Sequence, residues 1–220
     1  MSKGEIDRAI GELREYCIKS GLSEEKLLSP DNLDRYVETS IDAYRNYPMF
    51  MYVFNGNYDE KTLARMLRVD FKSRKHKMLG ISDGDYESLI LVEPPKAKRT
   101  KLNQYLMAAD IPSYQLMLNM ATYRQDTFEK YAYKKRKPYL DDKTWYIYIF
   151  ATKKAFQRMG YGKKLMKILL SFADEKGYRF CLETNATENV TMYQRFGFKL
   201  MDSYNYKQRM AHYVMLYTGR

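Results

Sequence analysis

The feature that most constrains the fold of this chain is a strand, a turn, a helix and a second strand, in that order, between residues 143 and 184. Residues 145–151 (WYIYIFA) are a near-continuous apolar and aromatic run, which is typical of a strand buried on both faces. Residues 160–176 repeat apolar side chains with a helical period, and residues 179–184 have the composition of another strand. Two strands joined through a helix pair in parallel, so the sequence predicts a βαβ unit.

The residues before this unit predict helices and one hairpin. Apolar side chains recur with a helical period from Gly4 to Ser20, and a similar stretch begins near Asp59. Between them, Ser29-Pro30 has the residue types that open a helix, and Pro48 is expected to end that helix. Residues 76–93 surround a polar Asp-Gly-Asp turn and predict an antiparallel hairpin.

Further helices and a closing hairpin complete the predicted secondary structure. They are expected at residues 102–109 and 112–135 (helices), 189–195 (a short helix), and 199–206 with 209–217 (the hairpin). The fold class is therefore α/β (α+β), with a central mixed, twisted sheet flanked by helices.

We predict a single domain over residues 1–220, because 220 residues suffice for one large core with an extension. Its parts are an N-terminal helical extension (1–28), the first half of the fold (29–95), a helical insert before the βαβ unit (96–142), and the second half with the closing hairpin (143–217).

Composition narrows the class of partner. The formal net charge of +11 favours an anionic partner, which is a nucleic acid, a membrane surface or a phosphate-rich cofactor. No apolar run reaches the length of a membrane span, and the first residues lack a signal-peptide core, so we expect a cytoplasmic protein without a membrane partner. The two cysteines and two histidines lack metal-binding spacing, so no metal site is predicted.

The turn of the βαβ unit reads Gln157-Arg158-Met159-Gly160-Tyr161-Gly162. Two glycines let the backbone turn sharply and approach a ligand closely. The free N–H groups and the dipole of the following helix attract anions, and five Lys or Arg side chains surround the turn. The turn thus predicts a pyrophosphate site held mostly by backbone. Taken alone, it also fits an ordinary strand-to-helix turn with a basic rim.

A second motif follows at residues 189–198 (NVTMYQRFGF), where a short helix ends in Tyr-x-x-x-Gly-Phe. Together with Gln157, Gly160 and Gly162, which match Gln/Arg-x-x-Gly-x-Gly/Ala, this motif makes the chain resemble the GNAT acyltransferase superfamily. Residues 182–198 look most like the branch that contains puromycin-type antibiotic acetyltransferases. The resemblance extends over residues 143–217, and less closely over 33–95.

This resemblance implies the GNAT acyl-CoA N-acyltransferase fold and direct transfer of an acetyl group from acetyl-CoA to a primary amine, without a metal. In such enzymes two parallel strands part and the pantetheine arm enters between them. The cofactor-binding positions that the resemblance implies are Phe150, Ala151 and Thr152 (pantetheine amides), Gln157, Arg158, Met159, Gly160, Tyr161, Gly162 and Lys163 (pyrophosphate), and Asn189 (pantetheine).

The resemblance also implies two catalytic roles. Tyr193 matches the family's tyrosine that protonates the leaving thiolate, and a phenol with a pKa of about 10 suits that task. A packing role for Tyr193 is the alternative. The strand at 145–152 lacks the carboxylate that many relatives use as a base, so Glu183 on the next strand is the best candidate by position. A strand-end charge, a water chain or an amine that arrives neutral are alternatives.

The acceptor is expected to be a small amine, with tyrosines available to line its site at Tyr44, Tyr47, Tyr148 and Tyr204. A protein or peptide N-acetyltransferase is one alternative, and a non-catalytic acyl-CoA-binding or nucleic-acid-binding module is another. The basic clusters at 96–101 and 134–137 lack any nucleic-acid-binding signature and are expected to be solvated, so nucleic acid is not a predicted partner. Either a monomer or a homodimer is compatible with the sequence.

Overall fold

The computed structural model describes residues 3–97 and 119–219. Its α-helices are α1 (Lys3–Lys19), α2 (Leu33–Tyr44), α3 (Pro48–Val53), α4 (Glu60–Arg74), α5 (Met120–Arg136), α6 (Tyr161–Lys176) and α7 (Thr187–Arg195). Its strands are β1 (Leu79–Asp83), β2 (Ser88–Glu93), β3 (Thr144–Thr152), β4 (Arg179–Thr184), β5 (Lys199–Tyr206) and β6 (Met210–Tyr217).

The six strands form one mixed sheet in the order β1-β2-β3-β4-β6-β5. Strands β3 and β4 are parallel, and every other neighbouring pair is antiparallel. The predicted βαβ unit, the α/β fold class and both hairpins are therefore confirmed. The crossover through α6 places the turn at residues 157–162 beside the carboxyl end of β3.

The parallel pair parts in the middle of the sheet. Strands β3 and β4 pair only from Thr144 opposite Arg179 to Ile147 opposite Leu182. Beyond that point β3 continues beside β2, and β4 continues beside β6. The register between β2 and β3 shifts next to Tyr148, which is the extra residue of a β-bulge. Because a bulge bends the strand that carries it, the carboxyl ends of β3 and β4 diverge and leave a gap.

Helices cover both faces of the sheet. Helices α1 and α6 pack on one face, where Leu13, Cys17 and Phe172 surround Trp145, and all four side chains are fully buried. Helices α2, α3 and α4 pack on the other face against β2 and the far half of β3. The helix predicted as an N-terminal extension thus contributes directly to the main hydrophobic core.

Two expected boundaries in the first half are wrong. Helix α2 begins at Leu33 rather than at Pro30, because the Asn32 side chain holds the preceding turn by accepting the Ser29 N–H (2.9 Å) and donating to the Leu27 carbonyl (2.7 Å). Pro48 does not end α2 but lies in the first turn of α3, where its missing N–H costs no hydrogen bond.

The insert is described in part. The helix predicted at 112–135 is observed as α5 from Met120 to Arg136, and the helix predicted at 102–109 lies outside the described residues, as does most of the basic cluster at 96–101. The cluster at 134–137 is not uniformly solvated as expected. Lys134 and Lys137 are exposed, whereas the side chain of Arg136 is only 4% exposed because it is ion-paired inside the protein.

Candidate active site

The turn before α6 presents a row of unpaired backbone amides. In the described part of the chain, the N–H groups of Arg158 and of residues 160–163 donate no hydrogen bond. Three of them belong to the first turn of α6, where an α-helix leaves its amides free. Arg158 and Gly160 have left-handed backbones, with φ of +65° and +99°. These conformations and the helix N-terminus together form a concave donor surface suited to a phosphate.

The two glycines of the turn are required for different reasons. Gly160 precedes α6 with a positive φ, and a Cβ added there would meet open space. At Gly162, by contrast, a Cβ would lie 2.8 Å from Phe150 Cζ and 3.0 Å from Thr152 Oγ1. Gly160 thus supplies the left-handed backbone conformation of the turn, and Gly162 lets α6 lie directly against the end of β3.

The side chains of the turn close it and surround it with positive charge. Gln157 Nε2 donates to the Thr152 carbonyl at 3.3 Å, which ties the turn to β3. Lys164 pairs with Asp83 at 2.6 Å, whereas Arg158 and Lys163 are exposed and have no ion-pair partner among the described residues. Two cations therefore remain available for a phosphate group. Met159 is 64% exposed and Tyr161 half-buried.

A cavity of about 750 Å³ lies where β3 and β4 part. Its walls come from α2, α3, α4, α5, α7 and the ends of β3, β4 and β6. Of the residues that the sequence analysis singled out, it brings together Phe150, Glu183, Asn189, Tyr193, Tyr44, Tyr47 and Tyr148. Tyr204 does not line the cavity, so the expectation that it belongs to the tyrosine lining is wrong. Tyr204 lies on the outer strand β5, hydrogen-bonded to Asp202 and stacked on His212.

Tyr193 projects from α7 between the rings of Phe150 and Phe198, at centroid distances of 6.2 and 5.8 Å. Burial, followed by the neighbouring Tyr47, raises the pKa of Tyr193 above its ordinary value. Its hydroxyl has no hydrogen-bond partner in the described part of the chain. The phenol is thus protonated at neutral pH and free to donate to a group in the cavity.

Asn189 belongs to a polar network at the end of β4. Its Nδ2 donates to Thr184 Oγ1 at 3.3 Å, and the same oxygen lies 3.1 Å from the Tyr47 hydroxyl. The Tyr47 hydroxyl also accepts the N–H of Asn185 at 2.9 Å. This network attaches the start of α3 and α7 to the diverging end of β4 and so helps to hold the gap open.

Glu183 lies on the β4 side of the cavity in a buried ion-pair network. Its Oε2 accepts from Arg136 Nη1 (2.7 Å) and from the Tyr146 hydroxyl (2.8 Å), and its Oε1 lies 3.0 Å from His212 Nε2. Burial by itself would raise the pKa of Glu183, but the charge of Arg136 outweighs it, with help from His212 and Tyr146. The pKa is therefore lowered, and the group is a carboxylate at neutral pH.

A second cluster of one carboxylate, one arginine and one tyrosine is formed around Tyr148, two residues after Tyr146 on β3. Asp70 on α4 accepts from Arg74 Nε (2.8 Å) and from the Tyr148 hydroxyl (2.6 Å). The guanidinium of Arg74 lies 4.2 Å from the centre of the Tyr148 ring, just as that of Arg136 lies 4.3 Å from the Tyr146 ring. Each tyrosine is thus held by one carboxylate and one arginine, which makes this wall of the cavity rigid and polar.

Sequence reasoning did not single out Asp70, Arg74, Glu129, Arg136 or His212 as site residues. A signal existed for Asp70 and Arg74, which interrupt the apolar stripe of α4 four residues apart. For Arg136 the basic run around it concealed its burial. Among the described residues, no group of three or more His, Cys, Asp or Glu side chains is arranged to hold a metal ion. No helix in the described ranges is long and apolar enough to cross a membrane.

Residues 120–198 match the sequence model of the Acetyltransferase (GNAT) family. The match begins with α5 and extends past the turn and α7, so it includes the turn with the free backbone amides and Tyr193. A search of curated proteins finds no match to the sequence.

Solved structures share the fold at low sequence identity. The histone acetyltransferase HPA2 and related acetyltransferase from Corynebacterium glutamicum is 15% identical with a TM-score of 0.55, over 87% of this chain and 94% of that one. Arylalkylamine N-acetyltransferase 2 from Aedes aegypti is 13% identical with a TM-score of 0.54, over 87% and 96%. The C-terminal condensation domain of Ebony in complex with β-alanyl-dopamine is 10% identical with a TM-score of 0.58, over 87% and 96%. At these identities the likeness shows the fold.

Proposed function

We propose that this chain, whose residues 120–198 match the model of the Acetyltransferase (GNAT) family, transfers the acetyl group of acetyl-CoA directly to the primary amine of a small molecule. The observation that carries the proposal is the cavity at the parting of β3 and β4, which has a protonated, unpaired tyrosine on one wall. Phe150, another residue of its lining, lies against Gly162 in the turn with the free backbone amides.

The coenzyme is proposed to span these two features. Its pyrophosphate would accept from the free amides of residues 158 and 160–163, with Arg158 and Lys163 adding charge. The pantetheine arm would lie along Phe150, Ala151 and Thr152, the part of β3 that has no strand partner on its β4 side in the described structure. Extended backbone of this kind offers the hydrogen-bonding groups that an amide-containing chain needs. Asn189 is proposed to contact the same arm from α7.

The chemistry requires two proton transfers. The lone pair of the amine attacks the thioester carbon, a C–N bond forms, and the C–S bond breaks to release a thiolate. Tyr193 is proposed to protonate this thiolate, because its hydroxyl is unpaired and its raised pKa keeps it protonated. Glu183 is proposed to take the proton that the amine loses, because it lines the cavity as a carboxylate. Its lowered pKa makes it a weak base, so its share of the rate enhancement is expected to be modest.

A small acceptor is favoured over a protein one by the shape of the site. The cavity is bounded by side chains from α2, α3, α4, α5 and α7 and from the sheet, and its volume lies within the roughly 300–1,000 Å³ of small-molecule pockets. A lysine on a protein surface would need an extended groove through which its backbone could pass.

The test is calorimetric titration with acetyl-CoA of the wild type, Gly160→Ala and Gly177→Ala. Both glycines have positive φ, and an added Cβ would meet open space at either position, but Gly177 ends α6 at the helix terminus remote from the turn. A left-handed alanine costs roughly 1–2 kcal/mol, which the exposed turn of free Gly160→Ala can avoid by relaxing and must recover when it binds the pyrophosphate. Gly160→Ala should therefore weaken binding by about 5- to 30-fold, and Gly177→Ala should not. The release of thiol from acetyl-CoA in the presence of candidate amines is then measured.

Absence of binding to the wild type at millimolar acetyl-CoA would overturn the proposal. In that case a salt-dependent affinity for nucleic acid would favour the non-catalytic binding module instead. Equal weakening by both substitutions would contradict the assignment of the phosphate site to the turn.

A further inference from the structure

Four carboxylates line the cavity, and each has at least one partner on the protein. Asp70 is held by Arg74 and Tyr148, and Asp126, on α5, pairs with Lys130 at 2.6 Å near the exposed rim. Glu183 is held through Oε2 by Arg136 and Tyr146, whereas its Oε1 lies 3.0 Å from His212 Nε2 without forming a hydrogen bond among the described residues.

Glu129 also keeps one carboxylate oxygen unpaired, and its side chain is more exposed than the 8% of Glu183. Its Oε1 accepts from Arg136 Nη2 at 2.6 Å, while its Oε2 has no hydrogen-bond or ion-pair partner in the part of the chain that the structure describes. Its side chain is 22% exposed and lines the cavity. One oxygen thus positions the carboxylate, and the other is available to a ligand.

The charge around Glu129 is unbalanced. Arg136, whose side chain is 4% exposed, is the one arginine or lysine of the described residues that contacts both Glu129 and Glu183. Two carboxylates sharing one guanidinium leave one negative charge at this end of the cavity. Since the whole chain has a formal charge of +11, this local surplus is opposite in sign to the rest of the molecule. A ligand that brings one positive charge restores the balance.

The same helix offers a second polar group to the cavity. Thr122 lies two turns before Glu129 on α5, lines the cavity, and its buried Oγ1 has no partner among the described residues. Across the cavity the walls are aromatic, with Tyr44, Tyr47, Phe50 and Tyr148. The lining therefore combines a polar end on α5 with an apolar, aromatic remainder.

We infer that Glu129 binds the ammonium group of the acceptor, and that the acceptor is a primary amine attached to an aromatic body. The inference rests on the proposed function for the identity of the acceptor's reacting group. In this arrangement the ammonium donates to Glu129 Oε2 next to Glu183, and the ring packs among the tyrosines. The helix inserted before β3 thereby selects the substrate, although it carries none of the motifs that bind the coenzyme.

The test compares two ligands that share the phenylethyl body and differ in the head group, the cation 2-phenylethylamine and the neutral 2-phenylethanol, by calorimetry without acetyl-CoA so that no turnover occurs. A charge-assisted hydrogen bond predicts that the wild type binds the amine about 10- to 100-fold more tightly than the alcohol. Glu129→Gln should lose most of this preference while its affinity for the alcohol stays unchanged. Asp126→Asn, one turn earlier on α5, is the matched control and should keep the preference.

Turnover gives an independent readout. Glu129→Gln should raise KM for 2-phenylethylamine about 10-fold or more and leave KM for acetyl-CoA unchanged, and Glu129→Asp should recover part of the loss. If Glu129 had only a structural role, Glu129→Gln would weaken the binding of the alcohol and of acetyl-CoA as well. Equal affinities for the two ligands in the wild type, failure to bind the amine, or a preference that survives in Glu129→Gln would each overturn the inference. Because the ligand comparison measures binding without coenzyme, its result is separate from that of the acetyl-CoA titration.

Discussion

Arg136 at the end of α5 and Glu183 on β4 are 47 positions apart in the sequence, and they form a buried ion pair with Nη1 and Oε2 2.7 Å apart. Their side chains are 4% and 8% exposed. The pair joins the inserted helix to the strand that borders the gap. It therefore makes one wall of the cavity from two elements that are far apart along the chain.

Arg136→Met tests the strength of this connection. Removing the guanidinium leaves two carboxylates without their cation, one of them fully buried, and we expect a loss of about 3–5 kcal/mol in the free energy of unfolding. Urea denaturation followed by circular dichroism measures it. The double variant Arg136→Met/Glu183→Gln should recover part of the loss, because it no longer buries an unpaired charge on β4. A loss below about 1 kcal/mol would show that the pair is not buried in solution.

The pH dependence of stability should differ between the wild type and Glu183→Gln. The pKa of Glu183 is lowered in the folded protein from its ordinary 4.5, so its contribution is present above about pH 4.5 and is lost as the pH falls through the folded value. The wild type should thus exceed the variant in unfolding free energy most at neutral pH, and the difference should shrink towards about pH 3. A difference that stays constant over this range would contradict a lowered pKa.

Tyr193→Phe should retain the fold and the affinity for acetyl-CoA but lose catalysis. Without the hydroxyl the thiolate must leave unprotonated or take a proton from water, and we expect kcat to fall by about 100-fold or more. Thiol release at saturating amine measures the effect, and titration with acetyl-CoA shows whether the site is intact. Because burial raises the pKa of Tyr193, the wild-type rate should show no decline from its ionisation up to about pH 10. An unchanged kcat would assign Tyr193 to packing alone.

Gly162→Ala should destabilise the protein through the contact of α6 with β3. The added Cβ would lie 2.8 Å from Phe150 Cζ, so the helix or the ring must move, which for overpacking costs about 1–3 kcal/mol. Thermal unfolding measures the cost. Gly11→Ala is the matched control in α1, where a Cβ meets no atom within 4 Å, and it should be neutral or stabilising. If both substitutions behave alike, α6 does not pack against β3 as closely as this distance implies.

The order of the elements followed from the sequence because local periodicity encodes it. The βαβ unit, the hairpins, α4, α6 and the turn before α6 all show apolar spacing or glycine placement within a few residues. The start of α2 was missed because the Asn32 side chain holds the preceding turn through hydrogen bonds that composition does not reveal. The start of α3 was missed because a proline can either end a helix or stand in the first turn of the next one.

The contacts around the cavity could not be obtained in this way. Tyr148 meets Asp70 across 78 positions, and Tyr47 meets Asn185 across 138, so neither contact leaves a local pattern. The error for Tyr204 has the same origin. Its type suited an aromatic lining, but its position on the outer strand β5 places it outside the cavity.

The sequence by itself determined the fold class, the glycine turn before α6 and the tyrosine on α7, because each depends on residues within one turn or one strand of each other. The tertiary structure decided which charges are buried, which carboxylates keep an unpaired oxygen, and which tyrosines meet. Burial and pairing of charge depend on distances between separate elements, and packing across the sheet sets those distances.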